Sequence, residues 1–119
     1  MSQSWNQKIG RWGEEVAVRY CESLGYKIIC RNWRCEVGEI DIIAQDGNTI
    51  VALEVKTRSN HKAGLPFEAI TPQKLQRLQK LLAIWCSKQK KYFRELRIDT
   101  VGIIGNQYRY SLDYLRGVN

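Results

Sequence analysis

The stretch Gly38–Arg58, GEIDIIAQDGNTIVALEVKTR, decides the fold. Two runs rich in Ile, Val, Leu and Ala flank the dipeptide Asp46-Gly47, a two-residue turn signal, and so predict an apolar β-hairpin. Asp41 interrupts the first run, and Glu54 and Lys56 interrupt the second. Ionised groups are costly to bury unless they are paired or bind a metal. These three therefore either lie on an exposed face or carry chemistry.

With Asp46-Gly47 as the turn, Asp41 faces Ala52 and Glu39 faces Glu54. Strand alternation then brings Glu39, Asp41, Glu54 and Lys56 out on one face. Asp41 and Glu54 become diagonal neighbours, roughly 7–8 Å apart at the backbone. Two carboxylates converging on a half-buried face repel unless one is protonated or a cation sits between them. An oxygen donor set of this kind suits Mg²⁺ or Mn²⁺, which retain waters and accept phosphate oxygens. Lys56 adds a movable positive charge that can orient a water or stabilise charge developing on phosphorus. The parts describe metal-assisted hydrolysis of a phosphodiester. The alternative is a surface salt bridge of Lys56 with Glu54 or Asp41, contributing roughly 0.2–1 kcal/mol.

Outward from the hairpin, apolar residues at Trp5, Ile9, Trp12, Val16, Tyr20 and Leu24 recur at helical spacing, and Gly25 is the stop. A second stripe, Gly10, Glu14, Ala17 and Cys21, is small apart from its acid and allows close approach to a sheet. Tyr26–Arg31 predicts a strand, Asn32–Gly38 a connection, and the polar run TRSNHKAGLPF after Lys56 a loop. Thr71-Pro72 is a helix start, with Thr71 as N-cap. Leu75, Leu78, Leu81, Leu82 and Trp85 give that helix an apolar face, and Gln73, Arg77 and Lys80 lie on another. Leu96–Ile104 predicts a strand, and Tyr108–Leu115, after the turn Gly105-Asn106, a short last one. The order αβββαβ(β) implies an α/β fold with a mixed sheet and helices on both faces, which explains hairpin strands that are apolar almost throughout.

The 119 residues suit a single domain, 1–119, with 44% apolar and 26% charged residues. No apolar run is long enough to span a bilayer, and MSQSWNQKIGRWGEE lacks the apolar core of a secretory signal. A cytoplasmic protein without a membrane partner is the expectation, and its four cysteines are expected as free thiols. His61 is the only histidine, so no structural zinc site is expected. The net charge of +7 is concentrated: Pro72–Arg97 holds eight basic residues against Glu95, leaving eleven basic and eleven acidic residues elsewhere. Such a cluster suits a polyanionic partner, nucleic acid first, and equally a solvated helix face that helps solubility.

GEIDIIA, the Asp46-Gly47 turn and LEVKTR resemble the PD-(D/E)XK, or restriction-endonuclease-like, superfamily. They resemble more closely its small YraN-type branch, which is similar to archaeal Holliday-junction resolvases. GRWGEEVAVRYCESLGYKII is similar to the branch's opening helix, RNWR to its next segment, GLPFEAITPQKLQRL to its later loop and helix start, and RIDTVGI to its next strand. The superfamily's nominal Pro before the first Asp is Ile40 here, which touches no ligand position. The resemblance implies a three-layer α/β/α fold and an endonuclease acting on DNA, more than RNA, of branched or structured form. It implies Asp41 and Glu54 as ligands of Mg²⁺ (or Mn²⁺), Lys56 as the catalytic lysine and Glu14 as the acid that completes the site. Gln73 or Lys74 corresponds to a helix position near the scissile phosphate, and Arg58 to a phosphate contact. Arg77 and Lys80 are further expected phosphate contacts because they belong to the basic helix. Relatives that cut two strands commonly form homodimers. A nuclease fold kept only as a nucleic-acid-binding module is the competing expectation.

Overall fold

The computed structural model describes residues 5–60, 70–93 and 95–119. Its elements are α1 (Trp5–Ser23), β1 (Lys27–Cys35), β2 (Gly38–Asp46), β3 (Thr49–Arg58), α2 (Pro72–Ser87), β4 (Glu95–Asn106) and β5 (Arg109–Leu115). The strands form one sheet in the order β1-β2-β3-β4-β5. β3 and β4 pair parallel across the segment that holds α2, and the other neighbours pair antiparallel. This is the mixed α/β sheet implied by the element order. α1 packs on one face, with Val16, Ala17 and Cys21 against Ile42, Ala44, Leu53, Val101 and Ile103. α2 packs on the other, with Leu78, Leu81, Leu82 and Trp85 against Ile40, Ile43, Ile50, Ala52 and Ile98. With a helix on each side, the architecture has the three layers of a restriction-endonuclease-like fold.

Local chemistry sets the element ends. Thr71, in extended backbone, accepts from the Lys74 N–H at 3.1 Å, and Pro72 occupies the first helical position, so α2 starts where its cap signals do. Of the expected small stripe α1 turns Ala17 and Cys21 to the sheet, but a Cβ on Gly10 would meet nothing within 4 Å and Gly13 makes the close approach instead; Leu24, at the end of the larger stripe, is exposed. At Gly13 the approach is so close that a Cβ would lie 2.0 Å from Thr57 Oγ1 and 3.0 Å from Thr57 Cβ.

Three expectations need correction. The hairpin turn is Gly47-Asn48, closed by the pair Asp46↔Thr49, and not Asp46-Gly47. Gly47 takes φ 61° at the first central position, as in a type II′ turn, whereas Asp46 as a central residue of a type I′ turn would need positive φ itself. The register thus slips by two residues, so the expected pairs Asp41–Ala52 and Glu39–Glu54 do not form. Second, β1 runs on to Cys35 through most of the predicted connection. Asn32 absorbs a kink at φ 54°, a conformation Asn tolerates, and pairing resumes at Trp33↔Ile40. Third, Gly105-Asn106 is not the last turn. Asn106 pairs with Arg109 and its side chain accepts from the Tyr108 and Arg109 N–H groups, so Gln107-Tyr108 make the turn. Thr57 and Arg58 belong to β3, and residues 61–67 of the predicted loop lie outside the described residues.

A network of charges anchors the turn end of the hairpin. Asp99 on β4 is fully buried and accepts from Arg97 Nε at 2.9 Å, from the Tyr114 hydroxyl and from the Gly117 N–H at 2.8 Å. Arg97 also donates to Asp46 Oδ2 at 3.0 Å and to the Tyr26 hydroxyl at 3.0 Å. No helix among the described residues is long and apolar enough to cross a membrane.

The contact between α1 and β3 is directly testable. Gly13→Ala places a methyl against both Thr57 Oγ1 and Cβ, and is expected to cost about 1–3 kcal/mol in urea unfolding, the range for overpacking. Adding Thr57→Ala should recover part of that loss; equal stability of Gly13→Ala and wild type would contradict the packing described.

Candidate metal centre at the hairpin fork

The β2–β3 ladder stops at Ile42↔Leu53, and from Asp41 towards Gly38 the first strand leaves the second. The Val55 N–H, which would otherwise lack a partner on that side, donates to Asp41 Oδ2 at 2.9 Å. Alternation breaks at this point. Ile42 packs under α1, but Ile40, two residues away, packs under α2. On β1 the kink at Asn32 lies between the pairs Arg31↔Ile42 and Trp33↔Ile40. Glu39, Asp41, Glu54 and Lys56 still come together as expected, lining one depression, although through a broken ladder and not a regular face; Asp41 sits in the fork and borders depressions on both sides.

The depression on the α2 side, of about 390 Å³, is lined by Asp41, Glu54, Lys56, Lys74 and Arg77. Glu54 Oε1 is 3.3 Å from Lys56 Nζ and 3.7 Å from Lys74 Nζ, with the Glu54 side chain largely buried. The salt-bridge reading of Lys56 is therefore realised, along the strand and with a second lysine. The depression on the α1 side, of about 460 Å³, is lined by Glu14, Asp41, Lys56 and Arg58 among others. Glu14 Oε2 accepts from Asn32 Nδ2 at 3.3 Å, so the kinked strand holds the opening-helix acid towards the fork. Glu39 is drawn aside by Arg34 at 2.7 Å.

Burial and the Glu54 carboxylate raise the Asp41 pKa to about 7; Glu14 and Glu39 add to the rise, and the Val55 N–H opposes it. Lys74 is held below the usual lysine range by its contact with Lys56 and by burial. Burial also disfavours charge on Lys56, but its contacts with Lys74 and Glu54 outweigh that and raise it.

Among the described residues no group of three or more His, Cys, Asp or Glu side chains is assembled to hold a metal ion. The donor set fits a divalent cation as a pair. Asp41 and Glu54 border one depression and offer only oxygen; after burial, their repulsion is the next cause of the raised Asp41 pKa, and a cation would relieve it. Two ammonium groups already gather on Glu54. Glu14 borders Asp41 only from the other side.

The basic helix divides similarly. Lys74 and Arg77 line the α2-side depression, whereas Gln73 and Lys80 are exposed and border neither depression. Lys74 is thus the helix residue at the site. Arg58 Nε is buried without an acceptor among the described residues, at the rim of the α1-side depression. Sequence reasoning missed Asn32 and the Val55 N–H. An Asn within RNWR, tolerant of positive φ, was the available signal for the first, and the second depends on a register that the turn residues misplaced.

A family model described as "Uncharacterised protein family UPF0102" matches residues 13–103. A UPF0102 protein of Mycolicibacterium smegmatis is 45% identical over 121 residues, covering 99% of this chain and 98% of its own. One from Beutenbergia cavernae is 45% identical over 111 residues, covering 92% and 94%. One from Paenarthrobacter aurescens is 46% identical over 111 residues, covering 92% of each.

The Asp41 shift has a measurable consequence. With a folded pKa of about 7 against an ordinary 3.8, the native state keeps a proton that the unfolded chain releases between those values. Stability therefore falls as pH rises from about 4 to 7 and stays low above it. Asp41→Asn is expected to stabilise the metal-free protein at pH 8 by a few kcal/mol, at about 1.4 kcal/mol per tenfold change in proton affinity. The gain should vanish below pH 4. A pH-independent difference in melting temperature would contradict the assigned environment.

Proposed function

This chain belongs to the UPF0102 family, the YraN-type branch placed in the PD-(D/E)XK nuclease superfamily, and we propose that it is a divalent-metal-dependent endonuclease acting on DNA. The observation that carries the reading is the fork, where Asp41 and Glu54 border one depression beside Lys56. Asp41 and Glu54 would hold Mg²⁺ or Mn²⁺, with Glu14 supporting Asp41 from the α1 side. Bound there, the ion would neutralise phosphate charge and acidify water.

The chain's own groups do the rest. Lys56, beside both carboxylates, holds an attacking water by hydrogen bonding. It also offsets negative charge growing on the phosphoryl oxygens. The water oxygen bonds to phosphorus as a bond from phosphorus to a sugar oxygen breaks; the water's proton passes to solvent, and the leaving sugar oxygen takes a proton from solvent to become a hydroxyl. Lys74 and Arg77, on the wall of the same depression, neutralise the flanking phosphates. Arg58 carries a buried Nε in need of an acceptor, which a phosphate oxygen supplies after a small side-chain movement. Contacts of this kind read the backbone, so affinity falls with salt and base preference is slight. Branched or otherwise structured DNA, in the cytoplasm, is the substrate we infer from the relationship to the junction-cutting relatives.

The ion pairs on Glu54 favour a second reading, a DNA-binding platform in which lysines permanently occupy the place of a metal. One assay separates the two. The protein is incubated with Mg²⁺ or Mn²⁺ and single-stranded, duplex, flapped and four-way-junction DNA, with RNA in parallel. Metal-dependent cleavage of DNA is expected, lowered at least about 100-fold by Asp41→Ala, Glu54→Ala or Lys56→Ala, the scale of losing a charge-stabilising group. Cleavage that survives Asp41→Ala refutes the site. Binding without cleavage of any substrate supports the platform, and cleavage of RNA alone replaces the DNA assignment.

A further inference from the structure

Beside the α1-side depression lies an apolar groove of about 470 Å³, lined by Lys8, Ile9, Trp12, Ser59, Gln107 and Tyr108, among others. It is continuous with the site, because Ile9 and Ser59 line both. Two aromatic rings, Trp12 and Tyr108, line it. Tyr108 is 88% exposed at the tip of the β4–β5 turn, and Tyr110 on the same hairpin is 48% exposed. The Tyr110 ring meets Trp12 edge to face, with centroids 5.3 Å apart, and so braces it from behind. Asn106 fixes the turn by accepting from the Tyr108 N–H at 2.9 Å and the Arg109 N–H at 3.1 Å. A large ring displayed in a two-residue hairpin turn is unusual, since such turns favour small polar residues and Gly. A scattered surface aromatic needs no explanation, but a braced group of rings running into a phosphodiester site does.

We propose that the Trp12–Tyr108 groove stacks unpaired bases of the DNA strand that passes through the fork, so that the favoured substrate has a single-stranded segment next to the cleaved bond. Three observations choose this occupant. The groove runs into the fork depression, so one strand can occupy both. Lys8 on the groove and Arg58 at the fork place cations along that path, suited to a sugar–phosphate backbone. The groove itself offers ring faces, which bind bases of any sequence by stacking. A duplex keeps its bases stacked inside and presents only backbone to such a surface. The inference rests on the nuclease reading for the strand's route through the fork, but base stacking at Tyr108 is measurable without turnover.

The test uses the full chain in EDTA, with binding of labelled oligonucleotides followed by fluorescence anisotropy. Tyr108 is exposed, so Tyr108→Ala should fold as wild type does. Base stacking of about 1–3 kcal/mol per base corresponds to roughly 5- to 150-fold in affinity. Tyr108→Ala is expected to weaken binding of oligothymidine and flapped DNA within that range, and of blunt duplex less than about twofold. Tyr108→Phe, which keeps the ring, should bind within about twofold of wild type. An abasic spacer in the oligonucleotide should weaken wild-type binding and leave Tyr108→Ala unaffected. Unchanged single-strand binding by Tyr108→Ala overturns the proposal, as does an equal loss on duplex or insensitivity of the wild type to the spacer. A Tyr108-dependent dimer in sedimentation would overturn it in favour of a second copy as the occupant. Metal-dependent DNA cleavage with Tyr108-independent binding would remove this inference and leave the nuclease. Tyr108-dependent binding by a protein that cuts nothing would do the reverse.

Discussion

The structure turns on one hydrogen bond, from the Val55 N–H to Asp41 Oδ2. A strand that leaves its neighbour strands a row of backbone groups, and burying them unpaired is costly. Here a side chain takes over the role that the backbone of β2 gives up. The sheet can therefore open into a fork without losing a hydrogen bond at its apex. The same bond fixes the carboxylate of Asp41 beside Glu54, so the repair of the ladder and the assembly of the charged site are one event.

The rest of the fold holds that fork open at one end and shut at the other. At the shut end, Arg97 connects Asp46 beside the turn to buried Asp99 and to Tyr26, pinning the hairpin to β4 and β1. At the open end, α1 approaches through Gly13, and its Glu14 is steadied by kinked Asn32. α2 approaches from the opposite face and brings Lys74 and Arg77 to the other side. The two helices thus bring groups of opposite sign to Asp41, an acid from one face and cations from the other. A carboxylate with a pKa raised to about 7 in the middle is a destabilising feature in the free protein. Groups perturbed in this way cluster at functional sites.

Much of this was legible in the residues. Thr71-Pro72 marks the start of α2 because cap and first-turn chemistry are local. Ala17 and Cys21 of the small α1 stripe were legible as a packing seam because helical periodicity is local too, but the closest approach is at Gly13 and not at Gly10. Asp41, Glu54 and Lys56 stood out because charge in an apolar hairpin demands a reason. Register was harder. Asp46-Gly47 and Gly47-Asn48 are both plausible turns, and the choice moves every cross-strand pair by two positions. Because that slip preserves alternation, the charged residues stayed close together. The kink at Asn32 and the break at Asp41 depend on strands meeting across the sheet, and no local pattern signals them. The family resemblance supplied Glu14, which Asn32 holds towards the fork.

The central claim is that the fork is a metal site and that lysines occupy it only by default. A crystal grown with Mn²⁺, with the ion located by its anomalous scattering, tests this most directly. The account expects a peak between the carboxylates of Asp41 and Glu54, with Lys56 or Lys74 displaced from Glu54 Oε1. Manganese bound elsewhere, with both lysines still gathered on Glu54, would contradict it.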